Sequence, residues 1–557
     1  MGNFSFSNTP VIRYNRSRFD LSHGHKTSAN VGTLYPFEIQ EVYPGDTFKV
    51  DTSCVTRLTS QFFRPVVDNL FLDTYYFFVP SRLVYDKWKN VFGENTDSAW
   101  ANTVEYEVPF IQGANCSENT VAERLGVPPV TNHHQYLDNN EISVLPFRAF
   151  AKIYDDWFRD QNNVAPMHIQ TGEAAVSENL NNKPWGPNNY TGGLPSVAKM
   201  HDYFTSCLPA PQKGDAVDIP FSIGEDVPVY AGTSHGKVSS SPLVMSSLNL
   251  PFPTTNNLPL YTSWASSNFA PVYASKDSIS VDSSVSVYPS NLYAETSSVS
   301  STGFTVNDLR FAFQYQKMLE RDARGGTRYV EYLQSHFGVS AGDYRLQRSE
   351  FLGGRRSPIT ITQVTQTTGS NSDSAPLGQV GAFSLSNSRS RFTKGFVEHG
   401  FVFGVFCIRQ FHTYQQGLER FWKRKKRTDF YDPVFANIGE QPVYKDELYA
   451  YGNSDDGSRS VFGYNEAWAD LRYRPNRVSG QLRSDISNSL DIWHFADYYG
   501  GAPVLSEQFI NETPQFVNRT ITVSDSVQDQ FLLDFYIKNI AYRRLPTYSV
   551  PSLIDHN

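Results

Sequence analysis

The chain has 557 residues, 19% of them charged and 14% aromatic, and its 48 Lys and Arg against 56 Asp and Glu leave a net charge of −8. So little charge beside 32 Tyr and 40 Phe excludes a disordered polymer, which needs the opposite balance. Four scattered cysteines, Cys54, Cys116, Cys207 and Cys407, exclude paired zinc ligands and point to reduced, buried thiols rather than a disulfide scaffold.

From the N-terminus, "MGNFSFSNTP" lacks the basic region and apolar run of a secretory signal. No window approaches the roughly 18 apolar residues of a membrane helix, so no membrane insertion is expected. "LYPFEIQEV" alternates Phe37 and Ile39 and is followed by the turn of "PGDTFKV", which reads as two strands. "NLFLDTYYFFVP" is nearly continuously apolar from Leu70 to Val79, as expected of a strand covered on both faces. "SVLPFRAFAKIYDDWFRD" places Pro146 in a first helical turn and Phe147, Phe150, Tyr154 and Trp157 at helical spacing. From Val238 to Val306 charge almost disappears, and "SISVDSSVSVYPS" alternates Ile279, Val281, Val285 and Val287 with small polar residues, suggesting short exposed strands. "TVNDLRFAFQYQKMLERDARGG" puts Leu309, Phe313 and Gln316 on one helical side and stops at Gly325-Gly326. Two late runs, "GFVEHGFVFGVFCIRQ" and "QFLLDFYIKNIAYRR", read as strands again. Strands, then helices, then strands is the pattern of an antiparallel sheet structure with large insertions.

Catalytic patterns are weak. "GxSxG" and "HExxH" are absent, and His23, His25, His133 and His134 form close pairs without metal-ligand spacing, so no enzyme activity, cofactor or metal is expected. In "LERDARGGTRYVEY", Arg321, Arg324 and Arg328 flank a double glycine without the lysine of a phosphate loop, and a helix cap with inter-subunit ion pairs is the better reading. The densest charge lies in "RFWKRKKRTDFYDP", with Arg420, Lys423, Arg424, Lys425, Lys426 and Arg427 within eight positions. Phe421 and Trp422 beside these cations suit single-stranded nucleic acid, where a basic groove carries aromatic stacking platforms. The competing reading is a solvated charge run, or a knot that pairs with Asp429, Asp432 and acidic neighbours across an interface.

Several long strings resemble the major capsid protein of gokushoviruses, a branch of the small single-stranded-DNA bacteriophages of the Microviridae. They are "YYFFVPSRLVYDKW", "LPFRAFAKIYDDWFRDQN", "DYFTSCLPAPQKG", "LERDARGGTRY", "SHFGV", "TYQQGLERFW", "FGYNEAWADLRYRPN" and "PTYSVPSLIDH", in family order over all but roughly residues 222–305. The resemblance implies a mainly β chain, an eight-stranded antiparallel jelly roll with long loop insertions containing a few helices. It further implies sixty copies in a T=1 icosahedral shell around circular single-stranded DNA, assembled in the bacterial host cytoplasm.

On that reading residues 1–30 form an interior or inter-subunit arm, and 31–221 hold the first strands and a helical insertion. Residues 222–305 are then a variable threefold protrusion presumed to face an unknown host receptor, 306–395 a helical insertion with loops, and 396–557 the remaining strands, the basic segment and a C-terminal extension. Candidate DNA contacts on the interior are Arg13, Arg16, Arg18 and Lys26, the knot with Phe421 and Trp422, and Arg543 and Arg544. These clusters are small, so a separate basic packaging protein is expected, with a scaffolding protein as a further partner. Tyr261, Trp264, Phe269 and Tyr273 are candidates at the receptor-facing insertion. The alternative class is a carbohydrate-binding or carbohydrate-active β-sandwich protein, disfavoured by the missing secretory signal and by the family strings.

Overall fold

The computed structural model describes residues 15–94, 106–112, 116–129, 141–173, 183–215, 217, 306–326, 328–365, 380–451 and 460–548, and six short strands between 229 and 294. The chain divides into two compact units, Gly214–Leu319 and the remainder.

The larger unit is built on two antiparallel sheets. In chain order the strands are β1 (Ser17–Asp20), β2 (His23–Ala29), β3 (Tyr35–Val42), β4 (Thr47–Leu58), β5 (Leu70–Pro80), β6 (Glu350–Ile359), β7 (Ile361–Thr365), β8 (Val380–Gly395), β9 (Gly400–Gln410) and β10 (Phe531–Arg543). One sheet runs β1-β10-β4-β8-β7, with β2 also paired to β10; the other runs β6-β5-β9-β3. This is a jelly-roll barrel, yet the two sheets hold ten strands among the described residues instead of the expected eight. The first strand is broken at Leu21-Ser22 into two pieces that both pair with β10, and β7 adds an edge beside β8.

The sheets are joined by aromatic rings. Phe37 lies flat on Phe535 across the barrel, with centroids 4.3 Å apart and planes 8° apart. Tyr76 meets Phe392 at 4.9 Å and Phe78 meets Phe396 at 4.7 Å. Gly404 makes room for this layer, because a Cβ there would sit 2.7 Å from the Phe37 ring. The strand β5, read as covered on both faces, is so covered. Phe78 and Tyr76 face the barrel, while Phe77 and Val79 face a second core with Phe147, Phe150 and Ile153 of α1 (Leu145–Ile153).

Beyond α1 the chain opens into a π-helical turn over Tyr154–Phe158, and this rotates Trp157 away from the buried stripe. Its indole N–H donates to the Ser349 carbonyl at 3.1 Å. In α2 (Val306–Gly325) the half-buried stripe is Leu309, Ala312, Gln316 and Leu319, ending at buried Ala323. Phe313, expected on that side, is exposed, because it falls about 80° from the centre of that stripe. The helix ends at Gly326, whose φ of 92° a side chain would resist. In the smaller unit three ladders are nested: Val229–Ala231 with Leu292–Ala294, Met245–Ser247 with Val287–Pro289, and Leu260–Thr262 with Val272–Ala274. Of the alternating valines expected there, Val287 lies in a strand, while Ile279, Val281 and Val285 lie outside the described residues.

The four cysteines are free and buried, and burial pushes the Cys54 and Cys407 thiols up to about 12. Just past β9 the fully buried His412 bridges two carboxylates, Asp497 at 2.7 Å and Glu512 at 3.0 Å. Lys199 lies 3.6 Å from Asp497. Burial alone would push the imidazole down, but the two carboxylates outweigh it and raise it to about 10.

Replacing Phe77 with Asp puts an unpaired charge into the second core, and soluble, folded protein is not expected; recovery of the variant in the soluble fraction with native circular dichroism would contradict the packing described. Because the His412 value is raised on folding, its stabilisation is complete below the unfolded value near pH 6.5 and is lost as pH rises through about 10. The gap in melting temperature between wild type and His412→Gln is therefore expected to be widest near pH 6 and to close towards pH 10.

Candidate nucleic-acid interface

The two faces of the barrel differ in kind. The β6-β5-β9-β3 sheet is covered outside by the second core, whereas the outer face of the other sheet is open to solvent. Strand pairing fixes which residues share that open face. Lys49, Asp51 and Arg57 of β4 stand opposite Thr393, Arg391 and Leu385 of β8. On the other side Lys538, Tyr536 and Asp534 of β10 stand opposite Asp51, Ser53 and Val55. Lys26 of β2 is opposite Asp534, and Arg18 of β1 is opposite Tyr542. Arg16 reaches Thr47 at 3.4 Å.

Arg16, Arg18, Lys26, Lys49, Arg57, Arg389, Arg391 and Lys538 thus share one face with three carboxylates, Asp20, Asp51 and Asp534. Arg389 is bidentate on Asp51, which holds that carboxyl below its usual range, and Lys26 lies 3.9 Å from Asp534. Lys49, Arg57, Arg391 and Lys538 are exposed with no ion-pair partner among the described residues. Tyr536 and Tyr542 are exposed aromatics among them. A flat cationic face with aromatic platforms can hold single-stranded nucleic acid through phosphates and stacking, without reading sequence.

Only part of this face stands out in the sequence. Arg16, Arg18 and Lys26 belong to it; Arg13 lies outside the described residues. Arg543 points off it: its guanidinium is 3.2 Å from buried Asp46, donates to the Glu41 carbonyl at 2.8 Å and packs over Phe48. Arg544 is exposed beside Gly45. Sequence reasoning missed Lys49, Arg57, Arg389, Arg391 and Lys538. The available signal was "SRSRF" in β8, where Arg389 and Arg391 alternate with Ser390 and Phe392 at the period of a strand.

The basic knot lies elsewhere and splits in two. Gly417 sits so close to the Glu447 carbonyl, 1.9 Å from where a Cβ would be, that only glycine lets the chain pass. That approach delivers Arg420 to Glu447, with Nη2 2.9 Å from Oε1, while Tyr203 donates to the other carboxylate oxygen at 2.8 Å. Lys423 pairs with Asp446, and Arg424 with Asp470. The knot is thus paired as the competing reading had it, but with Glu447, Asp446 and Asp470 of the same chain instead of Asp429, Asp432 or carboxylates across an interface, and these pairs remove Arg420 and Arg424 from solvent. Lys425, Lys426 and Arg427 are exposed, and the backbone N–H groups of Lys425 and Lys426 donate to Asp429, holding its carboxyl below the usual range. Phe421 and Trp422 are exposed too, with ring centroids 4.7 Å apart.

The other candidates are placed as follows. Arg324 pairs with Glu440, and Arg328 donates to the carbonyls of Asp155 and Arg159, so these arginines cap structure within one chain. His23 sits on Glu38 at 2.8 Å; no metal-binding cluster occurs among the described residues, which exclude His133 and His134. Tyr261 and Tyr273 stand opposite each other in the innermost ladder of the smaller unit, while Trp264 and Phe269 lie outside the described residues.

A jelly roll with one face covered by insertions and the other polar and cationic suits a shell subunit that meets nucleic acid on one side. Comparison gives the family. The chain belongs to the family described as "Capsid protein (F protein)", whose model matches residues 7–553. It is 38% identical over 555 residues to Capsid protein VP1 of Bdellovibrio phage phiMH2K, covering 98% of this chain and 97% of that one. It is also 38% identical to Capsid protein VP1 of Spiroplasma virus 4, covering 97% and 95%, and 36% identical to that of Chlamydia phage 1, covering 98% and 97%. It is a major capsid protein of a bacteriophage virion, a structural protein and not an enzyme, and the carbohydrate-binding alternative falls with that assignment.

Truncating Arg420 to Ala strands the buried Glu447 carboxylate, and a loss of about 3–5 kcal/mol is expected. Lys426→Ala, at an exposed position, should stay within about 0.5 kcal/mol of wild type. Thermal melts of the two variants side by side check this.

Proposed function

We propose that the chain forms a T=1 icosahedral shell of sixty copies enclosing a circular single-stranded DNA genome, with the open face of the β1-β10-β4-β8-β7 sheet turned towards the DNA. The observation that carries the inward orientation is the surplus of eight cations over three carboxylates on that face, in a chain whose net charge is −8. An acidic subunit with one cationic face meets phosphate on one side and remains soluble on the other. A surplus of this size is small against a packaged genome, which supports a separate basic packaging protein and added counterions. A scaffolding protein and assembly in the bacterial host cytoplasm complete the reading.

Residues 17–29 then run along the interior, since β1 and β2 belong to the sheet turned towards the DNA. The nearly uncharged segment 222–305 is the surface presented to the host. Its nested ladders support a protrusion that meets a receptor, with Tyr261 and Tyr273 in the innermost pair.

The test is Arg391→Glu with Lys538→Glu. Removing one cation from the phosphates lowers the salt dependence of oligonucleotide binding by about 0.7 in log–log slope, so the double variant should fall by about 1.4. Its particles should sediment as wild type with less absorbance at 260 nm relative to 280 nm. An unchanged slope and absorbance ratio would turn the DNA to another surface.

A further inference from the structure

The segment from Phe421 to Ile438 is held rigidly and yet shows solvent its apolar side chains. Arg420–Glu447, Lys423–Asp446 and Arg424–Asp470 pin its start, and Trp468 pins its end by donating its indole N–H to the Phe435 carbonyl at 2.9 Å. Asp432 accepts from the Val434 N–H, closing a turn that lifts Val434 outward. On this platform Trp422 is 66% exposed and Val434 83%, and Phe430, Tyr431 and Ile438 are about half exposed. Leu471 and Tyr473, on the loop to which the segment is pinned, are exposed as well and with Phe421 line a cavity of about 170 Å³, room for one side chain. These are eight exposed aromatic and aliphatic side chains on one pinned segment and the loop that holds it. A patch this large on a water-soluble unit marks a contact site.

We infer that this platform is a subunit–subunit contact, occupied by a second copy of the chain; the inference rests on the shell reading above. Two observations choose this occupant over DNA. Val434, Ile438 and Leu471 are aliphatic and offer no stacking face to bases, but gain from excluding water against another apolar surface. The rim carries exposed Lys425, Lys426 and Arg427, which are complementary to a copy of net charge −8. Ion pairs that fix the loop beforehand lower the ordering cost of docking, and the small cavity provides the kind of pocket that anchors an interface. The contact is heterologous, since the cationic rim would repel itself across a twofold axis.

The experiment is sedimentation velocity on the full chain, wild type beside Val434→Asp/Ile438→Asp, with absorbance at 260 and 280 nm. Both sites are exposed, so the variant should keep the wild-type circular dichroism and melting temperature. It should lose at least about tenfold of the fast-sedimenting material, because a charge buried at the centre of an interface exceeds a single tenfold step in affinity. Assembly equal to wild type would overturn the inference and leave the shell reading standing; if the ratio at 260 nm also dropped, the platform would be a DNA surface. A wild-type chain that forms no particles even in an infected host, where any assembly partner is present, would overturn the shell reading, and the inference with it.

Discussion

The stacking of Phe37 on Phe535 ties together the two sheets on which everything else is mounted. Aromatic pairs of this kind add about 0.5–1.5 kcal/mol beyond the area they bury. Their larger effect is on register. Slipping a strand by one residue would turn its rings outward, so the aromatic layer fixes which residues face the core and which face solvent. The same alternation that places Phe535, Leu533 and Ile537 inside places Tyr536, Asp534 and Lys538 outside. The cationic face is thus a consequence of the core.

With the barrel fixed, the two sheets take different duties. The sheet containing β5 and β9 is apolar on both faces and accepts α1 and other side chains between Val84 and Val197 as a second core. The connection over residues 411–530 makes most of a third core, with Tyr203, Phe204, Tyr414, Phe462 and Phe509. Loops of this length need internal anchors, because their backbone has few ladder partners. The anchor here is a set of buried charges, His412 between Asp497 and Glu512 with Lys199 beside Asp497, while inside the sheet Asp73 of β5 is held between Arg356 of β6 and Arg409 of β9. A buried charge is tolerated only when its partners are in place, so such sets also specify one arrangement of the loops.

The basic knot shows how a sequence pattern and a site diverge. Read along the chain it is a continuous cationic run beside two aromatics. In the fold, three of its cations are drawn off by Asp446, Glu447 and Asp470, carboxylates 23 to 46 residues further on. What remains exposed is a half-charged, largely apolar platform. On the open sheet face the reverse happens: single cations from β2, β4, β8 and β10, none conspicuous alone, are gathered by strand pairing into one surface.

Much of the architecture was legible because the signals were local. The apolar run at Leu70–Val79 marks a strand buried on both faces, Pro146 marks a helix start, and Gly326 a helix stop. The antiparallel class follows from their order. What stayed hidden depended on non-local pairing. The break between β1 and β2 and the ion-pair partners of Arg420, Arg424 and Arg543 are set by neighbours distant in sequence. By itself the sequence determined the strands, the main helices and the supply of cations, because periodicity and composition act over a few residues. Only the tertiary structure decided which cations face solvent together and which are spent inside, because charge is neutralised by proximity in space, not by proximity along the chain.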